Sequence, residues 1–275
     1  MLRLNESLNG QATDREKTID GISLQTIDER IPLRPKIHRV LKKSWIVCII
    51  LYVVFLVLRG IGCLGPESIR LLILVSFVLM WPLPFIFYTK IGWKGLGLRK
   101  IEKPLWIIYG ILLGAGSAII VYLVGFGLFG NTNDHWFISL LNQVISEEDR
   151  AMINPTALFL IVTIPSIIFS PIGEEFLFRG LIHESFKFQE KKWLGYLANS
   201  LAFATIHIFH YGITYDAING LEIQFLNGFV WFSLMMGVSI IFTLCKEKSN
   251  SIAPAILSHA SFNLVMNVTT FLFII

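Results

Sequence analysis

The sequence predicts an all-α fold, a polytopic bundle of about seven to eight transmembrane helices. Of the 275 residues, 54% are apolar and only 15% are charged, and the mean hydropathy is +0.66. A soluble domain carries about 25% charged residues. The apolar residues form long runs that can cross a core of about 30 Å. Basic residues cluster in the loops between these runs, as in membrane proteins whose basic loops face the cytoplasm.

The first 43 residues form a polar segment, and residues 44–275 form the predicted transmembrane domain. Because the first 40 residues are polar, no secretory signal peptide is expected. We expect the segment to be cytoplasmic and either largely disordered or a short surface helix. A basic cluster ends it and places the N-terminus inside: Arg34, Lys36, Arg39, Lys42 and Lys43.

Seven apolar segments are predicted to span the membrane, which leaves the C-terminus outside. They are Trp45–Cys63, Leu71–Tyr88, Trp106–Phe129, Ala157–Ile172, Trp193–Phe209, Phe225–Cys245 and Ile252–Ile275. Arg59 lies near the outer end of the first span, where we expect its side chain to snorkel. Pro82 and Pro84 break the second span, and Pro165 and Pro171 are expected to kink the fourth. An eighth, re-entrant or interfacial segment is possible at Glu174–Phe188.

The loops carry the charge pattern of an integral membrane protein, which we expect to lie in the plasma membrane with its N-terminus in the cytoplasm. The loop after the second span is basic, whereas residues 131–154 are acidic and are predicted to lie outside, with an interfacial helix at Trp136–Val144. The net charge of +4 resides in loops beside apolar segments, so no nucleic-acid partner is expected. We expect membrane lipid to surround the bundle. Three scattered cysteines predict neither a disulfide framework nor a CxxC metal site.

The third span contains five glycines that permit neighbouring helices to approach closely. They are Gly110, Gly114, Gly116, Gly125 and Gly127. We interpret them as packing residues.

One nine-residue stretch, Ile172 to Gly180, places two carboxylates and an arginine at the end of an apolar run. Each ionisable group in a membrane helix costs roughly 2.5–3.5 kcal/mol on insertion scales. In a helix Glu175 and Arg179 are i and i+4 and can pair. Glu174 points about 100° away from Glu175 and remains available for proton chemistry. The alternative is a helix end whose charges snorkel to the interface.

Two further spans contain polar side chains that belong to the same argument. His207 lies deep in the fifth span, and His259 and Asn263 lie in the seventh, four residues apart. Each alone is more often structural than catalytic. Polar groups in membrane helices face the bundle interior and tend to meet one another. A carboxylate, two imidazoles and an amide can together activate a water and stabilise an oxyanion.

The set Glu174-Glu175-x-x-x-Arg179, Phe203-x-x-x-His207 and His259-x-x-x-Asn263 resembles the motifs of the CAAX prenyl protease and bacteriocin-processing family, also called the Abi or CPBP family. The resemblance covers about residues 157–275. It implies an intramembrane endopeptidase that cleaves a membrane-associated peptide or protein.

The resemblance also implies a role for each motif residue. Glu174 takes a proton from the attacking water, and Arg179 orients or neutralises Glu175. His207 polarises the water, while His259 and Asn263 donate hydrogen bonds to the oxyanion. Phe203 shapes the cavity beside His207.

The resemblance is compatible with a reaction that uses a metal ion and with one that does not. A divalent ion such as zinc could be held by Glu174, His207 and His259 with one open position for water. The sequence has no HExxH motif, so metal-free activation of water by glutamate and histidine is the other possibility.

Two other functions are compatible with the same residues. The protein could bind peptides without cleaving them, as a bacteriocin-immunity protein does, or it could be a proton-coupled transporter. A transporter would be expected to show broken helices in two symmetry-related halves. Here the polar residues are confined to one half.

The predicted span limits carry a difficulty, because straight helices would not bring Glu174, His207 and His259 to one depth. Kinks, tilting or a re-entrant Glu174 helix would resolve it. His210, His183 and His38 are interpreted as structural or rim residues. We expect the cavity to open toward the cytosolic leaflet.

Overall fold

The computed structural model describes residues 18–19, 22–23, 30–132, 134–188, 191–216 and 220–274. Thirteen α-helices account for most of this part of the chain. They are α1 (Pro35–Leu41), α2 (Ser44–Leu64), α3 (Leu71–Met80), α4 (Leu83–Phe87), α5 (Lys90–Gly95), α6 (Leu105–Phe129), α7 (Trp136–Val144), α8 (Glu147–Met152), α9 (Pro155–Glu175), α10 (His183–Phe186), α11 (Trp193–His207), α12 (Phe225–Ser249) and α13 (Ala253–Phe273).

Five helical segments in this part of the chain are long and apolar enough to cross a membrane. They are α2, α6, α12, α13 and the continuous segment Pro155–Phe186. The all-α membrane bundle is therefore confirmed, but the count of seven to eight spans is not. The second predicted span is divided between α3 and α4 at Pro82, and the fifth is α11 with 15 residues. At 1.5 Å per residue α11 is about 22 Å long, shorter than the apolar core.

The segment that carries Glu174 and Glu175 is one uninterrupted helix. A π-helical stretch, Phe176–Ile182, joins α9 to α10, and every side chain in it is buried. Pro165 and Pro171 lie inside α9. The suggestion of a separate re-entrant segment starting at Glu174 is therefore wrong, because the chain continues as helix through the protein interior. π-Helical turns are rare and frequently lie at functional sites.

Three of the five glycines of α6 permit close packing. A Cβ atom at Gly110 would lie 2.7 Å from the Pro254 carbonyl oxygen, and one at Gly114 would overlap the Ser258 carbonyl oxygen of α13. At Gly125 the obstacle would be the His135 ring. Gly116 and Gly127 have open space, so the packing interpretation does not extend to them.

Residues 30–43 are docked on the end of the bundle that carries the basic loops. Ile31 and Leu33 are buried, and Leu33 forms an isolated antiparallel bridge with Tyr88. Arg30 donates hydrogen bonds to the carbonyl oxygens of Glu184 and Lys187, at 2.7 and 2.9 Å. Ahead of this stretch, two short strands pair as a hairpin, β1 (Thr18–Ile19) and β2 (Ile22–Ser23). The rest of residues 1–29 lies outside the described part of the chain.

The opposite end of the bundle carries α7 and a second hairpin. The helix predicted at Trp136–Val144 is present with those limits, but four of its side chains are buried in the bundle rather than lying on its surface. Ser139 and Gln143 donate to backbone oxygens of the turn after α11, at His210 and Phe209 respectively. The hairpin, β3 (Ile213–Asp216) and β4 (Gly220–Ile223), connects α11 to α12.

Candidate active site

Glu174 occupies the last turn of α9 and is almost completely buried, with 1% of its surface exposed. Its Oε1 atom accepts a hydrogen bond from Nη2 of Arg59 at 2.8 Å. Arg59 belongs to α2 and is also only 1% exposed. The expectation that this arginine snorkels to the interface is therefore wrong. A guanidinium inside the bundle has an ionic partner, and the partner is Glu174.

Glu175 lies beside Glu174 but contacts different groups. Its Oε1 atom accepts from Nη1 of Arg179 at 3.0 Å, so the pair predicted by the i, i+4 spacing is present. The same oxygen accepts from Nδ1 of His259 at 2.9 Å. Each carboxylate thus has its own guanidinium, and the four charges cancel in a buried region where an unpaired charge is costly.

His207 is oriented by its own helix. Its Nδ1 atom lies 2.7 Å from the Phe203 carbonyl oxygen. Because a carbonyl only accepts, Nδ1 carries the proton and Nε2 of the neutral ring is an acceptor. The Phe203 ring stacks on the imidazole with ring centroids 4.1 Å apart. Phe203 therefore lies on the same face as His207.

The two imidazoles converge on one oxygen. Nε2 of His207 and Nε2 of His259 are each 3.8 Å from Oε2 of Glu174. This oxygen has no hydrogen-bond partner among the described residues, although it is buried. A gap of 3.8 Å is too long for a hydrogen bond and is wide enough for a bridging water. The three residues that seemed to lie at different depths are therefore brought together.

Asn263 is on the same side of α13 as His259, one turn further on. Its Nδ2 atom donates to the Ser166 carbonyl oxygen of α9 at 2.7 Å. This bond fixes the plane of the amide. Only one of the two N–H groups on Nδ2 points at that carbonyl, so the second is available for another acceptor.

Arg59 is held from its other side by the turn after α11. Nη1 of Arg59 lies 2.7 Å from Nε2 of His210, and Nδ1 of His210 lies 2.7 Å from Oε1 of Gln143. An arginine only donates, so His210 is neutral with its proton on Nδ1. His210 therefore does more than line a rim, because it links α7 to the partner of Glu174.

Glu174, His207 and His259 form part of the wall of a cavity of about 540 Å³. Most of the wall is apolar, and it includes side chains from α3, α7, α9, α12 and α13. Asn263, Asn267 and Thr270 of α13 and Ser166 and Ser170 of α9 add polar groups to it. The cavity is large enough to accept part of a peptide next to the carboxylate.

The proposed metal ligands fit a single ion poorly in this arrangement. Ligand atoms of a tetrahedral zinc lie about 3.3 Å apart, given bonds of about 2.0–2.1 Å. Both distances from Glu174 Oε2 are 3.8 Å. Among the described residues, the cluster whose ligand atoms all lie within 4.8 Å of one another is His183, Glu184 and Glu247, not the predicted set. The metal therefore remains a prediction.

The His183 cluster is an ion-pair network near the basic end of the bundle. Lys246 contacts Glu184, and Lys187 lies 2.6 Å from Glu247. Arg30 adds a third positive charge. Lysines that occupy the carboxylates compete with a metal ion, so this cluster is better explained as a structural network.

Sequence reasoning missed Arg59 and Gln143. The signal for Arg59 was an arginine four residues before the end of an apolar span, and the rule for charges near helix ends assigned it to the interface. A second rule, that an ionisable group inside a membrane span is usually paired with another polar group, would have predicted a buried partner for Arg59. Gln143 gave no signal, because an amide in a predicted interfacial helix is ordinary.

Comparison with protein families gives a match for residues 156–265 only. The matching model is described as Rce1-like, type II CAAX prenyl endopeptidase Rce1-like. Neither the curated proteins nor the solved structures contain a match to the chain. The matched segment includes both carboxylates, Arg179, both histidines and Asn263. Over residues 156–265 the chain thus matches the Rce1-like type II CAAX prenyl endopeptidase family, which confirms the resemblance seen in its motifs.

Proposed function

We propose that the protein is an intramembrane endopeptidase that hydrolyses a peptide bond of a membrane-associated peptide or protein. One observation carries the proposal. A buried carboxylate oxygen, Oε2 of Glu174, has no partner among the described residues and faces two imidazole nitrogens across 3.8 Å at the wall of a cavity. A water in that gap can donate its two protons to Glu174 Oε2 and to Nε2 of one neutral imidazole.

The proposed reaction starts with this water. Glu174 takes one proton as the water oxygen attacks the carbonyl carbon, and His207 holds the water through Nε2. The free N–H of Asn263 donates to the oxyanion that forms. Glu174 then returns its proton to the leaving amide nitrogen, so that an acid and an amine result. Arg59 keeps the Glu174 carboxylate in place through Oε1 and leaves Oε2 for the water.

His259 can support the oxyanion only in one protonation state. The Nδ1–H group of His259 donates a hydrogen bond to Glu175, so Nε2 of a neutral His259 is an acceptor. It donates to an oxyanion only as an imidazolium, which the Glu175 carboxylate would stabilise. We therefore assign Glu175 the role of orienting His259 through its Nδ1–H group, in addition to its pair with Arg179.

The test is cleavage of a quenched membrane-peptide library by purified protein. We expect Glu174→Gln to lower the cleavage rate by at least ~100-fold, because the base is removed while the side-chain volume is kept. Glu67→Gln is the matched control, since Glu67 also borders the cavity but is exposed and remote from the imidazoles. Full activity in Glu174→Gln would refute the assignment.

Treatment with a chelator and analysis of bound metal distinguish a metal-dependent mechanism from a metal-free one. Cleavage lost with a strong chelator, together with stoichiometric metal in the purified protein, would establish a metal-dependent reaction. Cleavage that survives the chelator would support activation by Glu174 and the histidines alone. Folded wild-type protein that binds peptides without cleaving them would favour the immunity-type role.

A further inference from the structure

The cavity lies entirely on one side of the catalytic residues. Its wall includes Glu67 and Arg70, which precede α3, and Gln143 and Val144 at the end of α7. It also includes Phe271, near the C-terminal end of α13. No residue of the three basic loops, 88–104, 187–192 and 246–252, lines it in the described part of the chain. The catalytic groups therefore lie at the end of the cavity that is nearest to the basic loops.

The two ends of the bundle differ in charge. The basic loops contain ten lysines and arginines, whereas the loops at the cavity end contain Arg70 and Arg150 only, with acidic residues at Glu67, Asp134, Glu147, Glu148 and Asp149. Basic loops remain in the cytoplasm. On this orientation the cavity extends toward the extracytoplasmic side, in place of the cytosolic leaflet that was expected from the sequence.

One wall of the cavity carries amide groups at a regular spacing. Asn263 and Asn267 are four residues apart on α13, or about 6 Å along the helix. Asn267 donates through Nδ2 to Ser166 Oγ at 2.8 Å and to Thr163 Oγ1 at 3.3 Å, and Asn263 donates to the Ser166 carbonyl. Both N–H groups of Asn267 are taken up by α9, so its amide oxygen is left to face the cavity, whereas Asn263 keeps its amide oxygen together with one N–H group.

The backbone N–H groups of an extended peptide repeat at a spacing similar to that of the two asparagines. Its N–H groups point to the same side every second residue, at intervals of about 6.6–6.8 Å. Amide oxygens about 6 Å apart can accept hydrogen bonds from two such N–H groups. A purely hydrocarbon ligand has no donor for these oxygens. The surrounding wall is apolar and suits uncharged side chains.

We propose, on the basis of the function proposed above, that the substrate is an extended, mainly apolar peptide segment that enters from the extracytoplasmic side. Its backbone N–H groups bind Asn267 and then Asn263 on the way to Glu174. The substrate class is thus exported or outward-facing polypeptide, and not a cytosolic tail.

The side of entry is tested by thiol labelling, which does not require cleavage. Ser170→Cys places a small thiol inside the cavity, and Val144→Cys places one at its mouth. Lys248→Cys is the control on the basic end, where Lys248 is exposed. A membrane-impermeant reagent applied to intact cells should label the first two and leave Lys248→Cys at the wild-type level. Permeabilisation should then expose Lys248→Cys.

Two results would overturn the side of entry. One is labelling of Lys248→Cys in intact cells with protection of Val144→Cys. The other is labelling of Ser170→Cys only after permeabilisation. Since the labelling does not depend on catalysis, a failure here is distinct from an inactive protein, which would count against the proposed function instead.

The binding mode is tested by changing the substrate, so that the protein remains unaltered. N-methylation removes one backbone N–H at a time from the best-cleaved peptide. We expect KM to rise by roughly 10-fold at two positions separated by one residue, with little change at the position between them. A uniform effect at all positions, or none, would overturn the alternating contact with Asn263 and Asn267.

Discussion

Two neighbouring glutamates of this protein have separate electrostatic environments. Glu174 pairs with Arg59 of α2, and Glu175 pairs with Arg179 and His259. Both carboxylates can remain ionised side by side because each is matched by a guanidinium within 3.0 Å. The separation also divides their tasks. Glu174 keeps one oxygen free toward the cavity, whereas Glu175 orients an imidazole.

Arg59→Met tests whether Arg59 positions Glu174. We expect kcat to fall by ~10²–10³-fold with little change in KM, because Glu174 loses the contact that holds its free oxygen toward the water. The free energy of unfolding should fall by about 3–5 kcal/mol, since a buried carboxylate is left unpaired. Steady-state kinetics and thermal unfolding in detergent measure both effects.

Arg70→Met is the matched control for this variant. Arg70 also borders the cavity and also pairs with a glutamate, Glu67, but that pair is exposed. It should change stability by no more than ~1 kcal/mol. Equal losses of kcat in the two variants would show that Arg59 has no special role.

At the scale of the element, the packing of α6 against α13 depends on single glycines. Gly114→Ala should destabilise the protein, because the added Cβ overlaps a backbone carbonyl that cannot rotate away. Gly116→Ala should be neutral or stabilising by up to ~1 kcal/mol, since its Cβ meets open space and alanine favours helix. Thermal unfolding of the two variants, side by side, gives the comparison; a larger loss at position 116 would contradict the packing.

The start of α7 depends on a neutral histidine. The backbone N–H of Phe137 donates to Nδ1 of His135 at 3.1 Å, so a proton on this nitrogen would remove the helix cap. Burial lowers the pKa of His135 below its ordinary value, and the nearby Tyr122 carbonyl opposes this only in part. The unfolded chain therefore takes up a proton near pH 6.5 that the folded protein resists.

It follows that stability is full above about pH 6.5 and declines as the pH falls below it. His135→Asn keeps a cap acceptor and removes the titration, so its unfolding temperature should depend less on pH between about 7 and 5. The exposed His38→Asn serves as the control and should follow the wild type. A His135→Asn curve parallel to the wild type would contradict the argument.

Secondary-structure elements and contacts could be predicted where a single rule about neighbouring residues determines them. The limits of α7 and the break at Pro82 followed from local sequence, and so did the Glu175–Arg179 pair at helical spacing. The short α11 and the continuous helix through Glu174 did not follow, because hydropathy measures apolar length and not the position of a helix within the bundle. Arg59 and Glu174 are 115 positions apart in the sequence, so no rule based on neighbouring residues predicts their contact.

At the scale of the whole molecule, the N-terminal stretch from Arg30 onward is part of the folded unit. Arg30 caps the end of α10 through two carbonyls, and Ile31 is completely buried. Composition alone suggested a disordered segment or a short surface helix. The helix α1 has no buried side chain and agrees with the second alternative, but an average over 43 residues does not show the two apolar side chains, Ile31 and Leu33, that anchor the stretch.

Arg30→Ala should release this stretch from the bundle. We expect faster tryptic cleavage at Arg34 and Lys36, because two carbonyl contacts and an ion pair with Glu184 are lost together. Lys36→Ala removes an exposed charge of the same sign and should leave cleavage at Arg34 unchanged. Limited proteolysis followed by mass spectrometry identifies the sites. Identical digestion of wild type and Arg30→Ala would argue against the docking role.

The catalytic groups lie at the end of the cavity that is nearest to the basic loops, which bears on turnover. If both fragments of a cleaved substrate leave by the route proposed for its entry, a retained fragment competes directly with fresh substrate. Product release, rather than bond cleavage, would then limit the steady-state rate. Progress curves should bend early and show competitive inhibition by added fragments, and a first-turnover burst should precede the slower steady state.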